Sequence, residues 1–452
     1  MGGGDSMQTL ASIAGNVLEW YDFALYGFFS DTIAQVFFPP SHNEHFNLIM
    51  SYIVFGGAFV VRPLGGLITG SMGDTGGRKK ALVFSLFSMS VPTVVMAILP
   101  TYEQVGWFST ALLVICRLVQ GFSVGGQLTS SLIYTLETKE KKHWGYYGAL
   151  INMAANSGAI LGNLVGALVR TCLSKDQLLQ WGWRVAFLTG VLIVPITIWL
   201  HCYGKEHHPN EGEYDESASS TRRSSESREE APRHPLRESC KRENLAALVS
   251  SIFAPMLYGG GYYLTVVWMA VYMDQLIDPS VKGAFWVNLI ANIFGLTLPS
   301  MVFGWLSDRY GRQPLMLLGA ISVGVAAPFM VWIISNGDTI QAQFALLFIA
   351  LLLSLYCGPF PTFLVETFPA KIRMTSASIG FNLGICISSG FAPAIATALV
   401  SGIGPVAPGF IYPVFAIMAI FGMGLSGKVR HQDGGVDENS PSAQDDLNTH
   451  LL

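Results

Sequence analysis

The chain has 452 residues, 51% hydrophobic and only 12% charged, with a mean hydropathy of +0.44. This excludes an ordinary soluble globular protein, and a net charge of −4 gives no reason to expect a nucleic-acid partner. Runs of about 20 apolar residues recur along nearly the whole length, each enough to cross a hydrocarbon core about 30 Å thick, so the chain reads as an all-α integral membrane protein of about twelve spans.

The expected spans are 9–38, 46–70, 81–100, 107–137, 145–169 and 183–203, followed by 244–274, 283–306, 314–335, 340–364, 375–400 and 407–428. They divide the chain into an N-terminal six-helix bundle (9–203), a polar loop (204–243), a C-terminal six-helix bundle (244–430) and an acidic tail (431–452). The loop is dense in Ser, Glu, Arg and Pro and reads as disordered. The opening MGGGDS fits the myristoylation pattern with Gly2 as acceptor, and a cleavable signal pattern is absent.

Within the first span, GNVLEWYDFALYGFF (15–29) carries two carboxylates, Glu19 and Asp22, in an otherwise apolar run. Charge there is costly. Three residues apart on a helix, the two acids share a face and define a polar seam. Arg62 in the second span and Arg117 in the fourth are basic residues well inside spans, and the acids are their natural partners. Arg62 also has a plainer reading, beside Pro63 and ahead of Gly65 and Gly66, in which it satisfies carbonyls freed by an unwound turn. The fifth span repeats glycine at 158, 162 and 166, a spacing that lets helices approach closely.

Basic residues cluster after even-numbered spans, whereas the odd-numbered connections hold Arg170, Lys175, Arg184 and Lys282. By the positive-inside rule both termini and the middle loop are cytoplasmic, and the plasma membrane is the expected location. Cysteines 116, 172, 202, 240, 357 and 386 are scattered without CxxC spacing, so no disulfide framework, metal site or cofactor is expected.

The two halves share one plan. Gly70-SMG-Asp74-TGG-Arg78 is followed one hairpin later by Glu137, and Gly304-WLS-Asp308-RYG-Arg312 by Glu366, Lys371 and Arg373. Parallel six-helix halves with a substrate between them at mid-depth are a known transporter architecture. A helix end followed by Asp, Gly and Arg suits a tight turn whose carboxylate caps a neighbouring helix.

These loop motifs resemble the signature of the major facilitator superfamily, and Arg117-LV-Gln120-Gly121-FSV-Gly125-Gly126 resembles its fourth-helix motif. GNVLEWYDFALYGFF, VRPLGG (61–66) and FPAKIRMTSASIGFNLG (368–384) resemble the metabolite:proton symporter branch, whose members carry osmolytes and organic acids. Departures are Thr75 in place of a basic residue, Gln127 in place of Glu, and HCYGKEHHP at the end of the sixth span. The resemblance implies charge clusters that lock the cytoplasmic side, Asp74 and Arg78 with Glu137, and Asp308 and Arg312 with Glu366, with Arg309 and Arg373 among the gating charges.

The resulting expectation is alternating access, with Glu19 and Asp22 as the proton site and Arg117 and Arg62 as a clamp for a substrate carboxylate; Tyr26 and Gln120, on the same helices, are further candidate substrate contacts. Protonating an acid frees an arginine to bind the substrate anion. A permanent ion-pair network that only fixes packing is the rival. In the second half Tyr258, Tyr262, Asn288, Asn292, Tyr356 and Asn382 are candidate substrate contacts. Helical spacing puts Tyr258, Tyr262 and Thr265 on one face, with Tyr263 pointing elsewhere. The favoured substrate is a small mono- or dicarboxylate moved with protons by a monomer in the lipid bilayer. The alternatives are a zwitterionic osmolyte of the proline or betaine type and a transporter-like sensor. An enzyme is least expected, because no constellation of nucleophile, acid and base appears.

Overall fold

The computed structural model describes residues 17, 20–41, 44–76, 78–125, 127–137, 139–192, 241–369 and 372–433. The predicted proton-site acid Glu19, the Gly2 acceptor, Lys371, the greater part of the polar loop and the end of the tail lie outside them, as do the side chains of Asp74 and Arg78. Among the described residues there is no strand.

In chain order the helices are α1 (20–36, with a turn at Phe29), α2 (Glu44–Gly76), α3 (Arg78–Ile98), α4 (Trp107–Glu137), α5 (Trp144–Cys172) and α6 (described as Trp183–Leu188 and a further turn to Leu192). The second set is α7 (Arg242–Leu276), α8 (Ala284–Tyr310), α9 (Arg312–Ile334), α10 (Thr339–Glu366), α11 (Arg373–Gly402) and α12 (Ile411–Asp433). Eight helices among the described residues are long and apolar enough to cross a membrane. The chain is a multi-pass membrane protein, and within the described residues the spans read from hydropathy fall on these helices; residues 193–203 of the sixth and most of 9–19 of the first lie outside them. The helices overrun the apolar stretches at several ends, because a helix continues into the interfacial region after hydrophobicity stops.

Helix α5 carries Asn152, Asn156 and Asn163, all buried. Polar residues in a span belong on the face turned toward protein, and α5 obeys this by packing against α8. Its glycines act as the spacing indicates. A Cβ on Gly158 would stand 2.2 Å from the Val17 carbonyl oxygen, so α1 and α5 touch backbone to backbone. Helices α2 and α4 meet more closely still: a Cβ on Gly121 would lie 2.0 Å from the Ala58 oxygen, and one on Gly125 1.9 Å from the Arg62 oxygen. Helix α2 runs through Pro63 without a break, so the unwound turn expected there is not present.

Helices α7, α8 and α11 contain wide π-helical turns, at Leu257–Gly261, Tyr263–Trp268, Tyr272–Leu276, Asn292–Thr297 and Cys386–Gly390. Such turns shift every later side chain around the axis relative to an ordinary α-helix. The halves meet along α2 with α11, α5 with α8 and α10, and α4 with α11.

Candidate functional site

Asp22 and Tyr26 are one turn apart on α1, and Arg117 and Gln120 one turn apart on α4, so each helix offers two polar groups to the same space. The close contact of α2 with α4 brings Arg62 alongside. The result is a buried polar knot: Asp22 and Gln120 are 0% exposed, Arg117 1% and Arg62 2%.

Arg117 and Asp22 are joined through an intermediary instead of by the direct ion pair expected. Arg117 Nη1 donates to Gln120 Oε1 (2.8 Å), and Gln120 Nε2 donates to Asp22 Oδ2 (2.7 Å) and to Thr93 Oγ1 (3.0 Å). Thr93 in turn donates to the Met89 carbonyl, 2.8 Å away. Among the described residues, Arg117 Nε and Nη2 and Asp22 Oδ1 have no hydrogen-bond partner.

Aromatic rings also face the two guanidiniums. The Arg117 guanidinium carbon lies 4.2 Å from the Tyr26 ring centre and 4.7 Å from that of Phe23; that of Arg62 lies 4.1 Å from Phe59 and 4.5 Å from Phe23. The two arginines therefore share one ring. Desolvated contacts of this kind are worth about 2 kcal/mol each. Tyr26 also donates its hydroxyl to the Ser51 carbonyl at 3.1 Å.

Tyr263 completes this box from the other half, contrary to the helical-wheel expectation. Its ring packs edge-on against Phe59 at 5.3 Å and Phe55 at 5.5 Å, beside the Arg62 guanidinium. The π-helical turns on either side of Tyr262 are the reason, since they break the 3.6-residue count used to assign faces. Tyr258, Tyr262 and Thr265 accordingly do not form one polar edge. Tyr258 donates to Asn152 Oδ1 (2.7 Å) and stacks on Phe360 (4.4 Å), Tyr262 packs edge-on against the Tyr263 ring, and Thr265 pairs with the Tyr412 hydroxyl (2.9 Å).

Other second-half candidates are engaged in holding helices together. Asn288 Nδ2 donates to the Thr265 carbonyl, Asn292 Nδ2 donates to Asn288 Oδ1, and the Asn163 amide lies 2.7 Å from the same Asn288 oxygen. Tyr356 donates to the Ala254 carbonyl at 2.7 Å. Asn382 reaches across the halves to the Gly125 carbonyl at 2.8 Å. None of these four candidates stands in the knot around Arg117.

At the turn after α8, Gly311 adopts φ +86°, a conformation that favours glycine. Asp308 accepts the backbone N–H of Gly145 and Tyr146 and pairs with Arg312 at 2.7 Å; Arg312 also reaches Glu366 at 3.4 Å. Glu137 pairs with Arg373 of the other half at 2.8 Å. Arg309 is exposed, its guanidinium 4.5 Å from the Trp305 ring, and stands outside this cluster.

The opposite side carries a latch that the sequence reading passed over. Arg170 Nη2 pairs with Asp31 at 2.6 Å and donates to the Phe28 carbonyl at 3.0 Å, while its guanidinium lies 4.3 Å from the Phe285 ring of the other half. Trp286 adds a bond to the Thr171 hydroxyl at 3.1 Å. Asp31 was findable, as a third acid in the run that holds Asp22, and Arg170 had been used only as a marker of sidedness. Among the described residues, contacts between the halves thus lie on both sides of the buried knot.

The family profile of the Major Facilitator Superfamily matches residues 24–393. A proline/betaine transporter of Salmonella typhimurium is 30% identical over 418 residues, covering 92% of this chain and 81% of the relative. A citrate-proton symporter of Klebsiella pneumoniae is 29% identical over 421 residues, covering 90% and 88%. The crystal structure of a D-xylose-proton symporter shares the fold with a TM-score of 0.67 at 18% identity, covering 93% of this chain and 96% of that one. The chain belongs to the Major Facilitator Superfamily of membrane transporters.

Proposed function

We propose that the chain is a proton-coupled symporter of a small carboxylate-bearing solute, with zwitterions of the proline or betaine class as the leading candidates. The observation that carries the reading is Arg117, a buried guanidinium with two N–H groups that lack a hydrogen-bond partner among the described residues, set against aromatic faces and linked to a buried carboxylate. A guanidinium so placed suits bidentate capture of a carboxylate. The similarity to a proline/betaine transporter moves the zwitterion ahead of the organic acid favoured by the sequence alone.

In the proposed cycle a proton on Asp22 weakens its hold on the Arg117 side of the knot, and the substrate carboxylate takes the freed donors. Arg62, Tyr26 and Tyr263 line the same space, and Tyr263 brings the second half into contact with it. The positive end of a zwitterion finds aromatic ring faces nearby. Proton and solute then leave together when the Asp308 side, proposed to be cytoplasmic together with both termini, opens. Asp308, Arg312, Glu366, Glu137 and Arg373 form the proposed gate on that side.

An organic-acid substrate is supported by a different observation, the 29% identity to a citrate-proton symporter of Klebsiella pneumoniae over 90% of this chain. Uptake into proteoliposomes, with and without an imposed pH gradient, tests the choice. Competition by proline and betaine but not citrate is expected. Inhibition by citrate alone supports the second reading, and gradient-independent flux of every solute overturns proton coupling.

A further inference from the structure

Gln120 stands between the acid and the arginine, and its orientation is dictated by Thr93. The Thr93 hydroxyl proton is directed to the Met89 carbonyl, and the Asp22 carboxylate is the other acceptor beside it. Whichever of the two takes that proton, what remains for Gln120 is an oxygen lone pair. The amide must therefore turn its NH2 toward Thr93 and Asp22, which aims its oxygen at Arg117 Nη1. Every polar atom of Gln120 is satisfied in this one orientation, and only while Asp22 Oδ2 is an acceptor.

We infer that Gln120 is a relay that reports the protonation of Asp22 to Arg117 by reversal of its amide, with Thr93 as the residue that sets the resting orientation. The relay is driven by a proton on Oδ2, the oxygen that faces Gln120, whose O–H is then set against the Gln120 NH2; a proton on the unpartnered Oδ1 leaves Oδ2 an acceptor and the amide in place. Turning the amide over restores a bond to Asp22 but points the NH2 at Arg117, donor against donor. Arg117 Nη1 is thereby released and joins Nε and Nη2, which have no hydrogen-bond partner among the described residues. No covalent bond forms or breaks beyond the O–H on the carboxylate, and the proton comes from solvent. The inference rests on the reading of Asp22 as the proton site.

Among the described residues, the groups facing Asp22 are limited. Tyr21 lies beside it on α1, with its hydroxyl bonded to Thr189 of α6. Thr93 comes from α3, Arg117 and Gln120 from α4, and the Gly190 backbone from α6. Arg62 and Tyr263 act on Arg117 from α2 and α7.

Infrared difference spectroscopy of the full chain in liposomes, stepping pH without substrate, reads both ends of the relay. The wild type should show a carboxylic-acid band that Asp22→Asn removes, together with a guanidinium band change that Arg117→Lys removes. Thr93→Val and Gln120→Leu should keep the carboxylic-acid band and lose the guanidinium change, and Thr93→Ser should restore it. A guanidinium change that survives in both Thr93→Val and Gln120→Leu overturns the relay while leaving Asp22 as the proton site. A carboxylic-acid band untouched by Asp22→Asn overturns the proton-site reading, and the relay with it.

Discussion

Asp308 is bonded to the backbone of Gly145: one carboxylate oxygen accepts that N–H at 2.8 Å, and the other accepts the N–H of Tyr146 at 3.0 Å. A side chain at the end of one half thus caps the first turn of a helix in the other. Both charge and geometry favour this, because the N–H groups of a helix start have no partner within the helix and carry partial positive charge.

Asp308→Asn keeps the shape and loses the charge. Charge-assisted bonds of this type are worth about 1.5–3 kcal/mol, so transport should slow by about ten- to a hundredfold if the cap defines one of the two end states. Substrate affinity, measured by equilibrium binding to the purified variant, should change by about twofold or less, because the turn is remote from Arg117. Equal losses in rate and affinity would count against a gating role.

On the far side Arg170 ties Asp31, the Phe28 carbonyl and the Phe285 ring into one contact. Arg170→Lys retains a positive charge but replaces a planar fork with a compact ammonium, which cannot hold all three. Hydrogen exchange of Ser30–Val36 and Ala284–Ala291 should accelerate by about tenfold, while exchange around the Asp308 turn stays as in the wild type. Unchanged exchange in both segments would mean that this pair does not hold the far side shut.

What the sequence displayed and what it hid divide on a physical line. The spans were legible because hydrocarbon demands long apolar helices, and the capping carboxylate at Asp308 because an Asp-x-x-Gly-Arg turn has few uses at a helix end. Asp22, Arg62 and Arg117 were legible as a group because buried charge needs an answer. The kind of answer was not: for Arg117, Gln120 and the rings of Phe23 and Tyr26 took the place of a direct ion pair with Asp22. Tyr263 was assigned to the wrong face because face assignment assumes 3.6 residues per turn, and α7 departs from that count on both sides of Tyr262. Asn288, Asn292 and Tyr356 looked like ligand contacts because a polar group in a span must have a partner, and sequence alone cannot say whether that partner is solute or another helix.

The α2–α4 contact is the least tolerant in the first half. In Gly121→Val even the first added carbon would stand 2.0 Å from the Ala58 oxygen, against backbone that has no side-chain freedom to give. Overpacking costs about 1–3 kcal/mol where neighbours can adjust, and more is expected here. Thermal unfolding in detergent should show a clear fall in Tm or loss of monodisperse protein. A stable variant with normal transport would show that α2 and α4 separate more easily than their contact implies.

Tyr263 offers a way to separate ring from hydroxyl. Its ring packs against Phe55 and Phe59, whereas its buried hydroxyl makes no hydrogen bond to the described residues that meets ordinary geometry, though Arg62 is close by. Tyr263→Phe keeps the ring contacts. If the hydroxyl takes part in holding solute, KM should rise by about three- to tenfold, the worth of one neutral hydrogen bond, with kcat nearly unchanged. A normal KM would assign Tyr263 to packing alone.

Asp22→Asn is the sharpest test of the proton site, because asparagine preserves an oxygen for Gln120 while removing the ability to ionise. If Asp22 is the proton site, proton-coupled accumulation requires it to take up a proton on one side of the membrane and lose it on the other. A permanently neutral side chain can still allow the loaded protein to reorient. Exchange of labelled for unlabelled solute across a proteoliposome membrane should therefore persist, while concentrative uptake driven by an imposed pH gradient disappears. Concentrative uptake at the wild-type level in Asp22→Asn would move the proton to another group, and loss of exchange as well would identify Asp22 as part of the structural knot instead of the coupling step.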